Sequence, residues 1–263
     1  MQATINGIRM NFEVSGAEGG QPVVLHHPLA ANLTFWDELT AALAPRYRVV
    51  RLDARGHGQT EAPDGPYNFE TLTKDVVALM DHLKIDRAHY LGLSMGGMVG
   101  QYLGLMYPGR FRDLILVSTS SRVPPEGRAL WDERIKVSRE KGMSSQPESA
   151  MQRWLSKAGR QNPKLVERMT KMIEATPVNG YAGWGAAIRE LNVTDRLKAI
   201  TLPTRVIVGE EDPGTPVAAS EAIHREIKGS DLIIMPGVSH MLSAEAPEAF
   251  HGHVLPFLDK HSG

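Results

Sequence analysis

Three residues of different chemical type lie where they could together carry out covalent hydrolysis. Ser94 lies in the pentapeptide Gly-Leu-Ser-Met-Gly at residues 92–96, and Asp212 and His240 each lie in a loop that follows a later apolar run. A histidine can take the proton of a serine hydroxyl, while a carboxylate fixes the tautomer of that histidine and stabilises its protonated form. The order Ser, Asp, His therefore predicts nucleophilic acyl transfer at Ser94.

The pentapeptide predicts a sharp turn between a buried strand and a helix. Residues 88–93 form a largely apolar run, and helix-forming residues follow at once. Gly92 and Gly96 permit the close backbone approach that such a turn needs, so Ser94 is left exposed at its apex. The helix that begins at Met95 directs free N–H groups and its positive dipole end toward the serine oxygen. A glycine-rich turn without chemistry is the alternative that the pentapeptide alone leaves open.

Other acids and histidines compete for the roles of Asp212 and His240. Glu210 and Glu211 share the loop of Asp212, but Asp212 lies deeper in it, next to the segment that opens the following helix. Most of the ten histidines are expected to be ordinary residues, and His57 lies in a polar, glycine-rich loop. Four more fall in expected helices, namely His82, His224, His251 and His253.

A tetrahedral intermediate also needs two N–H donors for its oxyanion. Met95 follows the nucleophile and is expected to supply one of them. The loop after His26 and His27 is expected to supply the other, and Leu29 is the candidate because Pro28 has no N–H group. A simple exit from the strand is the alternative reading of this loop.

The segments that position these residues alternate between apolar strands and amphipathic helices. Strand patterns occur at residues 23–27, 47–52, 88–93, 114–117, 203–209 and 232–235, with helical patterns between them. This alternation predicts an α/β fold with an open, mostly parallel, twisted sheet and helices on both faces. The carboxyl ends of parallel strands meet at one edge of such a sheet, which is where ligands bind. A β-hairpin that turns at Asn6-Gly7 is expected to precede the sheet.

The strand pattern stops between residues 122 and 199, which predicts an inserted helical cap on a core made of residues 1–121 and 200–263. The cap contains Trp131, Trp154 and Trp184, which are expected to line a substrate pocket. It carries a net charge of +6 against −7 for the rest of the chain. A basic cap could attract anionic small molecules, and a solvated helical surface is the alternative.

The composition of the 263 residues excludes several classes of function. There is no cysteine, so a thiol nucleophile and cysteine-ligated metals are excluded, and no metal-ligand spacing occurs. No secretory signal, membrane-spanning run or basic stripe with interleaved aromatics is present. We therefore expect a cytoplasmic, cofactor-free protein that binds a small molecule rather than nucleic acid or a membrane. The sequence leaves open whether it forms a homo-oligomer.

Along nearly its whole length the sequence resembles the α/β-hydrolase family, most closely the 3-oxoadipate enol-lactonase and carboxylesterase group. The motifs that carry the resemblance lie at residues 53–58, 92–98, 209–216 and 239–240, with further similarity at residues 120–122 and 180–181 of the cap. The loop at residues 26–32, His-His-Pro-Leu-Ala-Ala-Asn, departs from the versions in those lactonases and esterases. The resemblance implies a cofactor-free serine hydrolase that cleaves a carboxylic ester or a lactone.

Other activities of the same fold remain open from the sequence. A C–C bond hydrolase or a perhydrolase would use the same three residues, and a small-molecule receptor could retain them without catalysis. Enol-lactonases act on a substrate with a free carboxylate, and Arg122, at the expected base of the cap, could bind such a group through two parallel hydrogen bonds. An ion pair between Arg122 and Glu126 is the alternative.

Overall fold

The computed structural model describes residues 1–262, in which eight strands form one sheet. The strands are β1 (Gln2–Ile5), β2 (Ile8–Gly16), β3 (Gln21–His26), β4 (Tyr47–Leu52), β5 (Ala88–Leu93), β6 (Phe111–Val117), β7 (Thr204–Gly209) and β8 (Asp231–Met235). Their order across the sheet is β1-β2-β4-β3-β5-β6-β7-β8. Strands β3 to β8 are parallel, while β1 and β2 pair antiparallel at one edge.

Local sequence explains both the edge hairpin and the central strand. Asn6 and Gly7 turn β1 into β2 with φ angles of 46° and 80°, the left-handed conformation that an Asn-Gly turn favours. Strand β5 is buried at all six residues because it lies between β3 and β6, with helices on both faces of the sheet. The carboxyl end of β5 therefore lies at the middle of the sheet edge where ligands are expected to bind.

Ten α-helices complete the described chain. They are α1 (Asp37–Leu43), α2 (Phe69–His82), α3 (Met95–Met106), α4 (Pro125–Lys141), α5 (Pro147–Trp154), α6 (Pro163–Glu174), α7 (Val178–Arg189), α8 (Val217–Glu226), α9 (Leu242–Glu245) and α10 (Pro247–Lys260). A 3₁₀ turn, Leu33–Trp36, leads directly into α1. Within residues 1–262, no helix has the length and hydropathy needed to cross a bilayer.

Helix α3 packs unusually close to the sheet because it is rich in glycine. A Cβ atom added at Gly100 would lie 2.7 Å from Leu116 of β6, and one at Gly104 would lie 2.8 Å from Leu114. Real carbon atoms do not approach so closely, so a larger residue at either position would displace these leucine side chains. The glycines therefore let α3 lie close to β6, directly after the turn that contains Ser94.

Helices α4 to α7 lie between β6 and β7 and form the cap. We keep residues 122–199 as its proposed extent, since Arg122 and Asn192 pair in an isolated β-bridge at its base. On the other side, a Cβ at Gly180 would lie 1.8 Å from the carbonyl oxygen of Gly56, so α7 touches the backbone of a core loop. Arg168 of α6 also donates to the carbonyl of Thr34 at 2.9 Å.

Candidate active site

The turn at Ser94 has the strained geometry that its glycines predict. Ser94 adopts φ 55° and ψ −111°, a conformation that a non-glycine residue rarely adopts. A Cβ at Gly92 would lie 2.2 Å from the carbonyl of Gly96, and one at Gly96 would lie 2.4 Å from that of His26. Thr119 stabilises the turn by donating its hydroxyl to the Ser94 carbonyl at 2.8 Å.

The loops after β7 and β8 bring Asp212 and His240 together. Asp212 Oδ2 lies 2.7 Å from His240 Nδ1, and both side chains are buried. The other carboxylate oxygen, Oδ1, accepts the N–H groups of Gly214 at 2.8 Å and Thr215 at 2.9 Å. The competing acids, Glu210 and Glu211, are exposed. Asp212 is therefore the acid of this loop that reaches the histidine.

The environment of Asp212 favours its ionised form. Burial alone would raise the pKa of this carboxyl, but the interaction with His240 and the hydrogen bonds from Thr215 outweigh burial and lower the pKa below its usual value. An ionised Asp212 can orient the imidazole and stabilise its protonated form. The part played by Thr215 was missed by the sequence analysis, which treated it only as part of a family motif.

Ser94 and His240 line the same cavity of about 490 Å³, which lies between the core and the cap. Leu29, expected as an oxyanion donor, also lines it, and within residues 1–262 its N–H group donates to no protein acceptor. Met95, the other expected donor, is the first residue of α3, where helix geometry leaves N–H groups unpaired. The cavity thus joins the serine, the histidine and the expected oxyanion loop.

The tryptophans of the cap occupy two different environments. Trp131 and Trp154 line the cavity. Among the described residues, Trp184 is not part of this lining, so the prediction that it lines the substrate pocket is wrong. Trp184 is 1% exposed, and its Nε1 donates to the carbonyl of Arg55 at 2.7 Å. The apolar period of α7 turns this residue toward the core, where it packs against His57.

Arg122 lines the cavity but is already engaged by other residues. Its Nε donates to Asn192 at 2.9 Å, and its terminal nitrogen lies 3.2 Å from Asp195. These partners, rather than the Glu126 considered from the sequence, hold the guanidinium at the base of the cap. Arg122 is half exposed there, so it is a weaker candidate for gripping a substrate than the sequence suggested.

Two arginines that the sequence analysis missed also line the cavity, Arg134 of α4 and Arg153 of α5. Burial, together with the positive charge of Arg134, lowers the pKa of Arg153 to about 10. Neither guanidinium forms an ion pair with a carboxylate within residues 1–262. Arg134 instead lies over the ring of Trp131, 4.9 Å from its centroid. The described lining therefore holds two neighbouring guanidinium groups, and Glu126, which also lines the cavity, forms an ion pair with neither of them.

Residues 21–247 match the family model of the alpha/beta hydrolase fold. The chain belongs to the α/β-hydrolase family. It is 32% identical over 249 residues to 3-oxoadipate enol-lactonase 2 of Acinetobacter baylyi, an alignment that covers 94% of this chain and 92% of the relative. The fold class and family predicted from the sequence are thereby confirmed.

Solved structures of other α/β-hydrolases are closely similar. An enol-lactonase from Burkholderia xenovorans LB400 is 32% identical with a TM-score of 0.94, covering 98% of this chain and 100% of that one. An esterase from Thermogutta terrifontis, solved with malate bound, is 28% identical with a TM-score of 0.95 and full coverage of both chains. These α/β-hydrolase relatives support the prediction of an enzyme of the ester- or lactone-hydrolysing type.

Proposed function

We propose that this α/β-hydrolase cleaves a carboxylic ester or lactone through an acyl-enzyme on Ser94. The observation that carries the proposal is the 2.7 Å contact between Asp212 Oδ2 and His240 Nδ1. His240 and Ser94 line the same cavity. His240 takes the Ser94 proton as Oγ attacks the substrate carbonyl, and then donates it to the leaving oxygen. Water activated by the same histidine releases the acid and restores the serine.

The N–H groups of Met95 and Leu29 are the proposed donors to the tetrahedral oxyanion. Such preorganised donors stabilise charge that develops only in the transition state, and losing one typically lowers kcat on the order of 10²–10³-fold. In a lactone the leaving oxygen stays tethered to the acyl group, so ring opening produces a single acyl-enzyme. Hydrolysis then yields one product with a new carboxylate.

We further propose that the substrate carries a carboxylate bound by Arg134 and Arg153. The two unpaired guanidinium groups raise each other's electrostatic energy, and an anion between them would lower it. Arginine binds carboxylates through two parallel hydrogen bonds, which suits a small acid. The names of two relatives agree: a 3-oxoadipate enol-lactone retains one free carboxylate, and the Thermogutta esterase was solved with malate, a dicarboxylate.

Labelling and mutation of Ser94 test the proposed mechanism. An alkyl phosphonate with a good leaving group should form one adduct, on Ser94, detectable by mass spectrometry of peptides. Ser94→Ala should remain folded and lose turnover of p-nitrophenyl acetate by a factor on the order of 10⁶. Labelling at another residue, or an active Ser94→Ala enzyme, would refute the acyl-enzyme. A wild-type protein that binds esters and releases no p-nitrophenol would instead indicate a receptor.

A further inference from the structure

We propose that His27 is a positioning residue that aims the Leu29 N–H group at the oxyanion. The inference rests on the proposed function, because it concerns the loop that would stabilise the tetrahedral intermediate. This loop, residues 26–32, contains both His27 and Leu29.

The tautomer of His27 follows from its two neighbours. The N–H of Ala54 donates to His27 Nε2 at 3.0 Å, so that nitrogen carries no proton. Burial lowers the pKa of His27 to about 4, which keeps the ring neutral at physiological pH. The single ring proton is consequently on Nδ1, and Nδ1 donates to the carbonyl oxygen of Pro28 at 2.7 Å.

The Pro28 carbonyl and the Leu29 N–H belong to the same peptide unit. A trans peptide is planar, so its C=O and N–H groups point in opposite directions. His27 holds the Pro28 carbonyl on one side, and Ala31 donates its N–H to the same oxygen at 3.2 Å. Fixing this carbonyl fixes the direction of the Leu29 N–H, which donates to no protein acceptor within residues 1–262 and lies beside the cavity.

A second histidine holds the next peptide of the loop. Ala30 adopts φ 56°, in the left-handed region that alanine rarely occupies, and its N–H donates to His57 Nε2 at 3.0 Å. His57 is fully buried, so the expectation of an ordinary loop residue is corrected. Its Nδ1 lies 3.3 Å from the Arg55 carbonyl, the same oxygen that accepts the indole N–H of Trp184.

This chain of contacts connects the cap to the proposed oxyanion donor. Trp184 of α7 fixes the Arg55 carbonyl, which orients His57, and His57 and His27 together hold residues 28–31. Trp184 thus contributes to the proposed site without touching the substrate.

The test compares His27→Leu, which removes both ring contacts, with His27→Asn, whose side-chain amide can still donate to the Pro28 carbonyl. For p-nitrophenyl acetate, His27→Leu should lower kcat by about 10–100-fold with KM within threefold of wild type, because the oxyanion exists only in the transition state. The affinity for a trifluoromethyl ketone, which forms a charged adduct with the serine, should fall by a similar factor. His27→Asn should recover most of both losses.

Several outcomes would overturn the inference. One is a His27→Leu enzyme whose kcat stays within threefold of wild type. Another is a His27→Leu enzyme whose KM rises by as large a factor as its kcat falls. The third is a well-folded His27→Asn enzyme that is as impaired as His27→Leu. If His27→Leu does not fold, His27→Gln replaces it, because the longer side-chain amide reaches the N–H group of Ala54 instead of the Pro28 carbonyl. Equal kcat values for His27→Gln and His27→Asn would then reject the positioning role of His27. A wild-type enzyme that fails to react at Ser94 rejects the proposed function itself, which separates the two.

Discussion

Thr215 donates its hydroxyl to Asp212 Oδ2 at 2.7 Å, the same oxygen that contacts His240 Nδ1. The hydroxyl also lies 3.2 Å from that nitrogen. Asp212 therefore accepts hydrogen bonds from its own loop in addition to its contact with the histidine. This arrangement fixes the carboxylate in one orientation and keeps it ionised.

Removing the Thr215 hydroxyl should weaken the acid–base pair without changing its members. Thr215→Val keeps the shape of the side chain but removes a hydrogen bond to a charged group, an interaction that contributes about 1.5–3 kcal/mol. We expect kcat to fall about tenfold and the free energy of unfolding to fall by about 1–2 kcal/mol. Steady-state kinetics and urea unfolding measure both quantities. Thr215→Ser, which keeps the hydroxyl, is the control, and an equally impaired Ser variant would argue against the hydrogen bond.

The identity of the acid is tested by two neighbouring substitutions. Asp212→Asn should lower kcat on the order of 10⁴-fold, because the amide favours the wrong tautomer of His240. Glu211→Gln should change kcat less than threefold, since Glu211 is exposed and His240 is paired with Asp212. Comparable losses in the two variants would require a different acid.

The proposed carboxylate site predicts that replacing Arg153 lowers activity on charged esters and raises the melting temperature. Arg153→Leu should lower kcat/KM by about 10–100-fold for an ester that carries a carboxylate, and change it less than threefold for its neutral methyl ester. The same variant should melt at a higher temperature than the ligand-free wild type, because Arg134 loses a like charge beside it. Arg122→Leu is the matched control and should discriminate less between the two esters. Equal losses on both substrates would indicate an apolar pocket.

The buried histidines predict a steep loss of stability in mild acid. Burial lowers the pKa of His26 to about 3 and that of His27 to about 4, from the usual 6.5. Between pH 6.5 and 4 the unfolded chain therefore binds protons that the folded chain does not. The stabilisation is complete above pH 6.5 and is lost as the pH falls. At pH 5 the cost for His27 alone is about 2 kcal/mol.

Unfolding by urea at pH 7 and pH 5 measures this loss. His27→Asn cannot titrate, so its free energy of unfolding should fall about 2 kcal/mol less than that of the wild type over this interval. Groups that do not interact with His27 contribute equally to both proteins and cancel in the difference. Equal pH dependence in the two proteins would mean that folding does not lower the pKa of His27.

The sequence predicted the features that depend on strand ends and short-range sterics. Parallel strands place their carboxyl ends at one edge, so the proximity of Asp212 and His240 followed from two loops 28 residues apart in the chain. The turn at Ser94 was predictable because Gly92 and Gly96 are needed wherever two backbones come this close.

Features set by the packing of one helix on another were not predictable. Arg134 and Arg153 lie on different cap helices, and nothing in the spacing of either helix shows that the two guanidinium groups meet in one cavity. Trp131 and Trp184 lie in similar amphipathic patterns, yet one faces the cavity and the other the core. The burial of His57 depends on α7 covering its loop, a contact between distant segments of the chain.

Helix α4 has one buried residue, Ser138, although it supplies Leu130, Trp131 and Arg134 to the wall of the cavity. Apart from Ser138 its side chains are at least partly exposed, so substitutions there are expected to cost less free energy of unfolding than substitutions in the buried sheet. Changes in substrate preference can therefore accumulate on this helix while the sheet and the Ser94 turn stay intact. A library randomised at Leu130, Trp131 and Arg134 is therefore a suitable starting point for laboratory evolution of new ester specificities.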